Sequence, residues 1–195
     1  MSTLWLLRHA PVEAPAGLCY GRTDLSCAAE ATQAVAAQIA TLLPADIAIH
    51  SSPLQRCTTL ARAIAEHRPA LPTATIDPRL AEMDFGAWEG QPWDAIARTD
   101  FDAWMNDFAD ARAGTHGEST RLFMARVGEA WDAWRASGHD ALWVTHAGVM
   151  RAVTLLQRGV RMPVNASDWP RQPIGFGEWL TVGRSELGPP MPSSP

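Results

Sequence analysis

An α/β fold is what this chain predicts, and three observations predict it. Apolar runs that read as strands, centred on Leu4 to Leu7, Ile47 to Ile49 and Leu142 to Val144, each give way to a segment with helical spacing. Each run then stops abruptly in polar residues: Arg8-His9, Ser51-Ser52 and Thr145-His146. The 195 residues are also enough to bury a substantial core in one domain. That domain is expected over residues 1–184, followed by a proline-rich disordered tail at 185–195.

The elements follow in order. After the first strand, Ala10 to Cys27 carries Pro11, Pro15, Gly17 and Gly21, which is loop chemistry, and holds the aromatic and basic cluster Tyr20-Gly21-Arg22. Ala28 to Leu43 is alanine-rich, with Val35, Ile39, Leu42 and Leu43 at helical spacing, and Pro44 ends it. The isoleucine-rich strand from Asp46 runs into Ser51-Ser52-Pro53, read as an N-cap with proline at the first helical position, and Arg56 falls in the first turn of the helix beyond. Thr73 to Asp77, β-branched between prolines, reads as a short strand. Residues 91–116, rich in Trp, Phe and Asp, read as an irregular helical insertion. Gly117-Glu118-Ser119 leads a helix of about five turns to Ser137, with Glu118 and Ser119 read as capping it in preference to a substrate role and with Leu122, Val127, Trp131 and Trp134 on its apolar side. The strand to Thr145-His146 is followed by Ala147-Gly148, which opens a helix, and Trp179 to Val182 reads as a last strand.

Composition narrows the chemistry. All 16 residues counted as Lys+Arg are arginines, so Schiff-base chemistry, a P-loop lysine and a pyridoxal attachment point are excluded. A phosphate held here is held by guanidinium forks, imidazoles and backbone amides. The net charge of −5, with scattered arginines, argues against nucleic acid as a partner. Three cysteines without metal-ligand spacing indicate neither a disulfide framework nor a metal site, and with no leader-like start and no apolar run of about 18 residues they point to a cytoplasmic protein away from membranes.

In open α/β sheets ligands bind beyond the carboxyl ends of the strands. Arg8, His9, Arg56 and His146 each fall just past such an end, and together they predict a phosphate pocket. The amides that open the helix at Ala147 add a favourable dipole for an anion.

These residues carry a resemblance. Leu7-Arg8-His9, Ser52-Pro53-Leu54-Gln55-Arg56, Glu82 with Gly86-Ala87-Trp88-Glu89-Gly90, and Thr145-His146-Ala147-Gly148 together resemble the four ordered motifs of the histidine phosphatase superfamily, the phosphoglycerate-mutase-like group, over nearly all of Thr3 to Gly159. Pro11-Val12 and Cys19-Tyr20-Gly21-Arg22-Thr23-Asp24 are most similar to its α-ribazole phosphatase branch. The resemblance implies a three-layer α/β/α fold with a mostly parallel central sheet. It also implies His9 as nucleophile, Arg8, Arg56, His146 and the Ala147 amide around the phosphoryl group, and Glu82 as acid and base, with Glu89 structural.

Tyr20, Gly21 and Arg22 either border the substrate or order a loop. His50, His67, His116 and His139 are expected at the surface, and Cys57, after Arg56, is expected to point elsewhere on its helix as a small buried residue and not a reactive thiol. Ala10 stands where most members have glycine, and Pro15 stands where mutase relatives have asparagine, which favours hydrolysis over phosphoryl transfer between substrates. No cofactor or metal is expected. The expected partner is a small phosphorylated substrate, with a homodimer left open. The implied activity is α-ribazole 5′-phosphate hydrolysis. A broad sugar or nucleotide phosphatase and a non-catalytic phospho-ligand-binding protein of the same fold are the alternatives.

Overall fold

Residues 2–183 are described by the computed structural model; the 185–195 stretch expected to be a tail lies outside the described residues. Strands β1 (Thr3–Arg8), β2 (Ala48–Ser51), β3 (Thr75–Ile76), β4 (Ala141–Thr145) and β5 (Trp179–Gly183) form one sheet in the order β3-β2-β4-β1-β5. The first four run parallel, and β5 closes one edge antiparallel to β1. Helices α1 (Ala29–Ala40), α2 (Gln55–His67), α3 (Arg98–Asn106), α4 (Thr120–Ser137) and α5 (Ala147–Gln157) complete the fold.

Strand alternation divides the core into two layers. Leu4 and Leu6 of β1, with Ala141 and Trp143 of β4, pack with Phe123, Val127, Val149 and Val153 of α4 and α5. Leu7, Leu142 and Val144 pack on the other face with Ile39, Leu60 and Ile64 of α1 and α2. Burial on both faces is why these strands read as continuous apolar runs instead of alternating ones. The result is the three-layer α/β/α arrangement with a mostly parallel sheet.

Four local readings are corrected. α2 begins at Gln55 with Leu54 as its N-cap and no side-chain cap, so Ser52 does not cap it and Pro53 precedes it. The Ser52 hydroxyl is instead drawn into the site, 2.8 Å from His146 Nε2. On α4, Leu122 is exposed, and the buried stripe is Phe123, Met124, Val127, Trp131 and Trp134. At the start of that helix Ser119 Oγ accepts from the Leu122 amide, while Glu118 forms an ion pair with Arg126 at 2.7 Å instead of sharing the cap. The Thr73–Asp77 strand contracts to two exposed residues at the sheet edge, where it has a partner on one side only.

β1 and β4 are neighbours, yet the helices that follow them cover opposite faces, α1 on one and α5 on the other. A crevice opens at such a reversal of winding. Main-chain bonds continue beyond the strands there: the His9 amide donates to Thr145 O at 3.1 Å, and the Ser52 amide to Val144 O at 3.0 Å. The residues that leave these three strands are therefore tied to one rigid platform. Among the described residues no helix is long and apolar enough to cross a membrane.

Candidate active site

His9 and His146 meet above the β1–β4 junction with ring centroids 5.2 Å apart. His9 Nδ1 lies 2.7 Å from the Ala10 carbonyl, which only a protonated Nδ1 satisfies, so Nε2 is left with a free lone pair. His146 has the opposite tautomer. Arg56 Nε donates to its Nδ1 at 3.3 Å, and its Nε2 is left to donate to Ser52 Oγ. Ala10, buried and absent from the residues with positive φ, contributes through its carbonyl and needs no glycine-like backbone.

Arg56 is wholly buried, and among the described residues it pairs with no carboxylate. It donates to the carbonyls of Thr23 at 2.7 Å and Gly21, and the Tyr20 ring lies 5.2 Å from its Cζ. Gly21 has φ of +22°, and a Cβ there would come within 2.3 Å of Met83 O, so the 20–23 loop needs glycine at this point. Glu89 ties that loop down: it accepts from the amides of Arg22, Thr23 and Phe85 and from the Thr23 hydroxyl. Tyr20, Gly21 and the Arg22 amide thus order the loop that grips Arg56.

Arg8 leaves β1 on the other side of His9. It donates through Nη1 to the Ile174 carbonyl, and its Cζ lies 3.8 Å from the centre of the Phe176 ring. Glu82 reaches the crevice from the segment after β3. Its carboxylate accepts from the Gly148 amide at 3.1 Å, at the N-terminus of α5, and from its own neighbour Met83 at 3.0 Å. A Cβ on Gly148 would lie 2.1 Å from Glu82 Oε1, so glycine is what lets the carboxylate sit on the helix end.

The fold therefore brings Arg8, His9, Arg56, Glu82, His146 and Ala147 to one crevice. Arg22 presents only its amide to this network, its side chain being exposed. His67, His116 and His139 are exposed as expected, whereas His50 is half-buried on β2. Cys57 does not point away: its Sγ lies 3.5 Å from His146 Nε2, packed beneath that ring, and burial pushes its thiol pKa up, which makes it a filler and not a nucleophile.

Three further residues contribute that the motifs do not mark. Ser52 carries the local pattern of a cap. Arg126 donates to the carbonyls of Arg79, Ala81 and Glu82 and pairs with Glu118, bracing the segment that presents Glu82; one arginine among sixteen, inside a helix, carries no signal of this. Phe176 lies in Gly175-Phe176-Gly177, and an aromatic residue between two glycines was the available clue.

Burial, then the charge of Arg56 and more weakly that of Arg8, pushes the His9 pKa down to about 3, against an opposing contribution from the Ala10 carbonyl. Burial followed by Arg56 and His9 holds His146 well below the usual imidazole range. Both rings are thus neutral at physiological pH, as a nitrogen nucleophile requires. The unfolded chain accepts these protons near pH 6.5 while the folded protein refuses them, so stability is complete above about pH 6.5 and falls as acid is added toward pH 3. The urea midpoint should drop across that window. In His9→Gln the slope should be shallower by about one proton; parallel slopes in the two proteins would contradict the buried neutral imidazole.

A cavity of about 310 Å³ is lined at one side by Glu82 and Gly148, and His9 is not among its lining residues. Its walls are mainly apolar, with Met83, Phe85, Trp104, Phe108, Phe123 and Trp169 from four separate segments, and Arg151 and Arg171 lie among its lining residues. The 91–116 insertion supplies Trp104 and Phe108, and Trp104 packs edge-on against Phe85 and Trp88.

Comparison with known proteins gives a consistent set. The model of the histidine phosphatase superfamily, branch 1, matches residues 4–171. A glucosyl-3-phosphoglycerate phosphatase of Mycolicibacterium vanbaalenii is 34% identical, covering 92% of this chain and 83% of that protein. Among solved structures, the α-ribazole phosphatase of Shigella flexneri superposes with a TM-score of 0.77 at 27% identity, over 93% of this chain and 90% of that one. A mycobacterial glucosyl-3-phosphoglycerate phosphatase superposes at 0.75 with 26% identity, over 94% and 90%.

Proposed function

Since this chain belongs to the histidine phosphatase superfamily and is a phosphoric monoester hydrolase, we propose that it works through a phosphohistidine on His9 and that its substrate is α-ribazole 5′-phosphate. The observation that carries the chemistry is the fixed tautomer of His9: Nδ1–H is committed to Ala10, and Nε2 is free beside two guanidiniums. His9 Nε2 attacks phosphorus in line, the N–P bond forms as the ester P–O bond breaks, and Glu82 gives its proton to the departing oxygen. Glu82 then takes a proton from water, whose oxygen displaces the histidine and releases inorganic phosphate. Arg8, Arg56 and the Ala147 amide stabilise the charge on the equatorial oxygens, and His146 joins them when its Nε2–H turns from Ser52 Oγ to a phosphoryl oxygen. Because those groups supply positive charge and donors, the reaction is expected to run without a metal ion in a reducing cytoplasm.

The choice of leaving group rests on the cavity beyond Glu82, whose aromatic walls suit a flat dimethylbenzimidazole. Burying about 100 Å² of ring at about 25 cal/mol per Å² is worth about 2.5 kcal/mol, or a factor of the order of 50 in kcat/KM. Arg151 and Arg171 in the same lining favour a second reading, a substrate whose leaving group carries a carboxylate, as glucosyl-3-phosphoglycerate does. Turnover of both esters and of a panel of simple phosphomonoesters, all with EDTA present, decides between them. The expected result is a preference for the α-ribazole ester of the order of 50-fold by that area estimate. Indifference to the base would remove the cobalamin reading, and loss of activity in EDTA would remove the metal-free one.

A further inference from the structure

Arg8 and Arg56 flank His9, and among the described residues neither pairs with a carboxylate. Both are oriented by neutral partners, a carbonyl oxygen and an aromatic face: Gly21, Thr23 and Tyr20 for Arg56, Ile174 and Phe176 for Arg8. The distinction matters physically. A carboxylate would orient a guanidinium but also cancel its charge and compete with phosphate for its N–H groups, whereas a carbonyl or the negative face of a ring attracts the cation and leaves its charge intact.

Arg8 depends on this arrangement more than Arg56 does. Among the described residues its Nε is buried without a partner, and Ile174 O is the one acceptor its side chain uses. The Phe176 ring covers its face at 3.8 Å and lies 5.5 Å from the His9 ring, while 41% of the residue stays exposed. The loop that presents Phe176 is fixed to β1: the Gly177 amide donates to His9 O at 3.1 Å and the Arg8 amide to Glu178 O at 2.9 Å. Glu178 also accepts from the Gly175 amide at 2.7 Å, closing the loop on itself. Gly177 has φ of +72°, and a Cβ there would meet Val35 Cγ2 at 2.6 Å, so no bulkier residue fits beside the ring.

We propose that Phe176 is a positioning residue, whose ring face holds the Arg8 guanidinium in the orientation that receives the phosphoryl oxygens. The proposal rests on the reading of Arg8 as a phosphate ligand. It is tested with inorganic phosphate, which has no leaving group to touch Phe176, by calorimetric affinity and by competitive inhibition of p-nitrophenyl phosphate turnover. Phe176→Leu keeps apolar bulk without a ring, and Phe176→Tyr keeps the ring. The expected result is phosphate affinity weakened about five- to twentyfold in the leucine variant and changed less than about twofold in the tyrosine variant, with unchanged melting temperatures. Phosphate affinity unaltered by leucine would overturn the proposal and make Phe176 a leaving-group contact; equal weakening by tyrosine and leucine would overturn it too. A wild-type protein that binds phosphate yet hydrolyses no ester would remove the phosphatase mechanism, while the calorimetric contrast still decides Phe176.

Discussion

His9→Ala abolishes phosphate release, with kcat falling by about 10⁴- to 10⁶-fold, the scale on which deletion of an enzymatic nucleophile is felt. The ring has one nitrogen committed to Ala10 O at 2.7 Å, and among the described residues no other histidine offers a free ring nitrogen at that place: His146 spends Nδ1 on Arg56 and Nε2 on Ser52. Rapid quenching of the wild type in alkali, which spares a phosphoramidate, should trap label on one histidine, and in His9→Ala the label should vanish. Phosphate affinity should survive in the variant, since Arg8 and Arg56 remain. Residual turnover within tenfold of wild type would remove the phosphohistidine; a wild type that binds phosphate without turnover would instead support an idle member of the fold.

The parts of this site that could be read from the chain are those that coincide with a change of pattern. Arg8-His9 and Thr145-His146 stand where an apolar run stops, and a buried parallel strand leaves its next residues at the carboxyl edge whatever the rest of the chain does. Arg56 was legible as a basic residue in a first helical turn. Its full burial was not, because that comes from Gly21 and Thr23, which lie over thirty residues away in a loop with no periodicity. Ser52 misled because a serine before a proline and a helix carries the pattern of a cap, and only the position of β4 next to β2 shows that its hydroxyl meets His146. The aromatic residues of 91–116 were visible as composition. Their joining with Phe123 and Trp169 into one cavity wall depends on tertiary packing between distant segments, which local spacing does not encode.

Glu82→Gln should separate the two halves of the reaction. The amide oxygen can still accept from the Gly148 amide, so the geometry is largely kept while the proton is lost. With an alkyl ester such as α-ribazole 5′-phosphate, the departing oxygen needs that proton, and kcat/KM should fall about 10²- to 10⁴-fold. With p-nitrophenyl phosphate the leaving group departs unaided, so the first step should survive. The second step still lacks its base, and p-nitrophenolate should appear in a burst of one equivalent as phosphohistidine accumulates. Glu89→Gln provides the contrast. Glu89 accepts main-chain donors on both the Arg22–Thr23 loop and Phe85, so its loss should loosen the grip on Arg56, lower the melting temperature, and slow both esters by the same factor without a burst. If Glu82→Gln instead slowed the two esters equally and without a burst, it would be a binding residue, and the acid would have to be sought elsewhere. The asymmetry is expected because Glu82 sits on the end of α5 at the wall of the aromatic cavity, whereas Glu89 is spent on holding a loop.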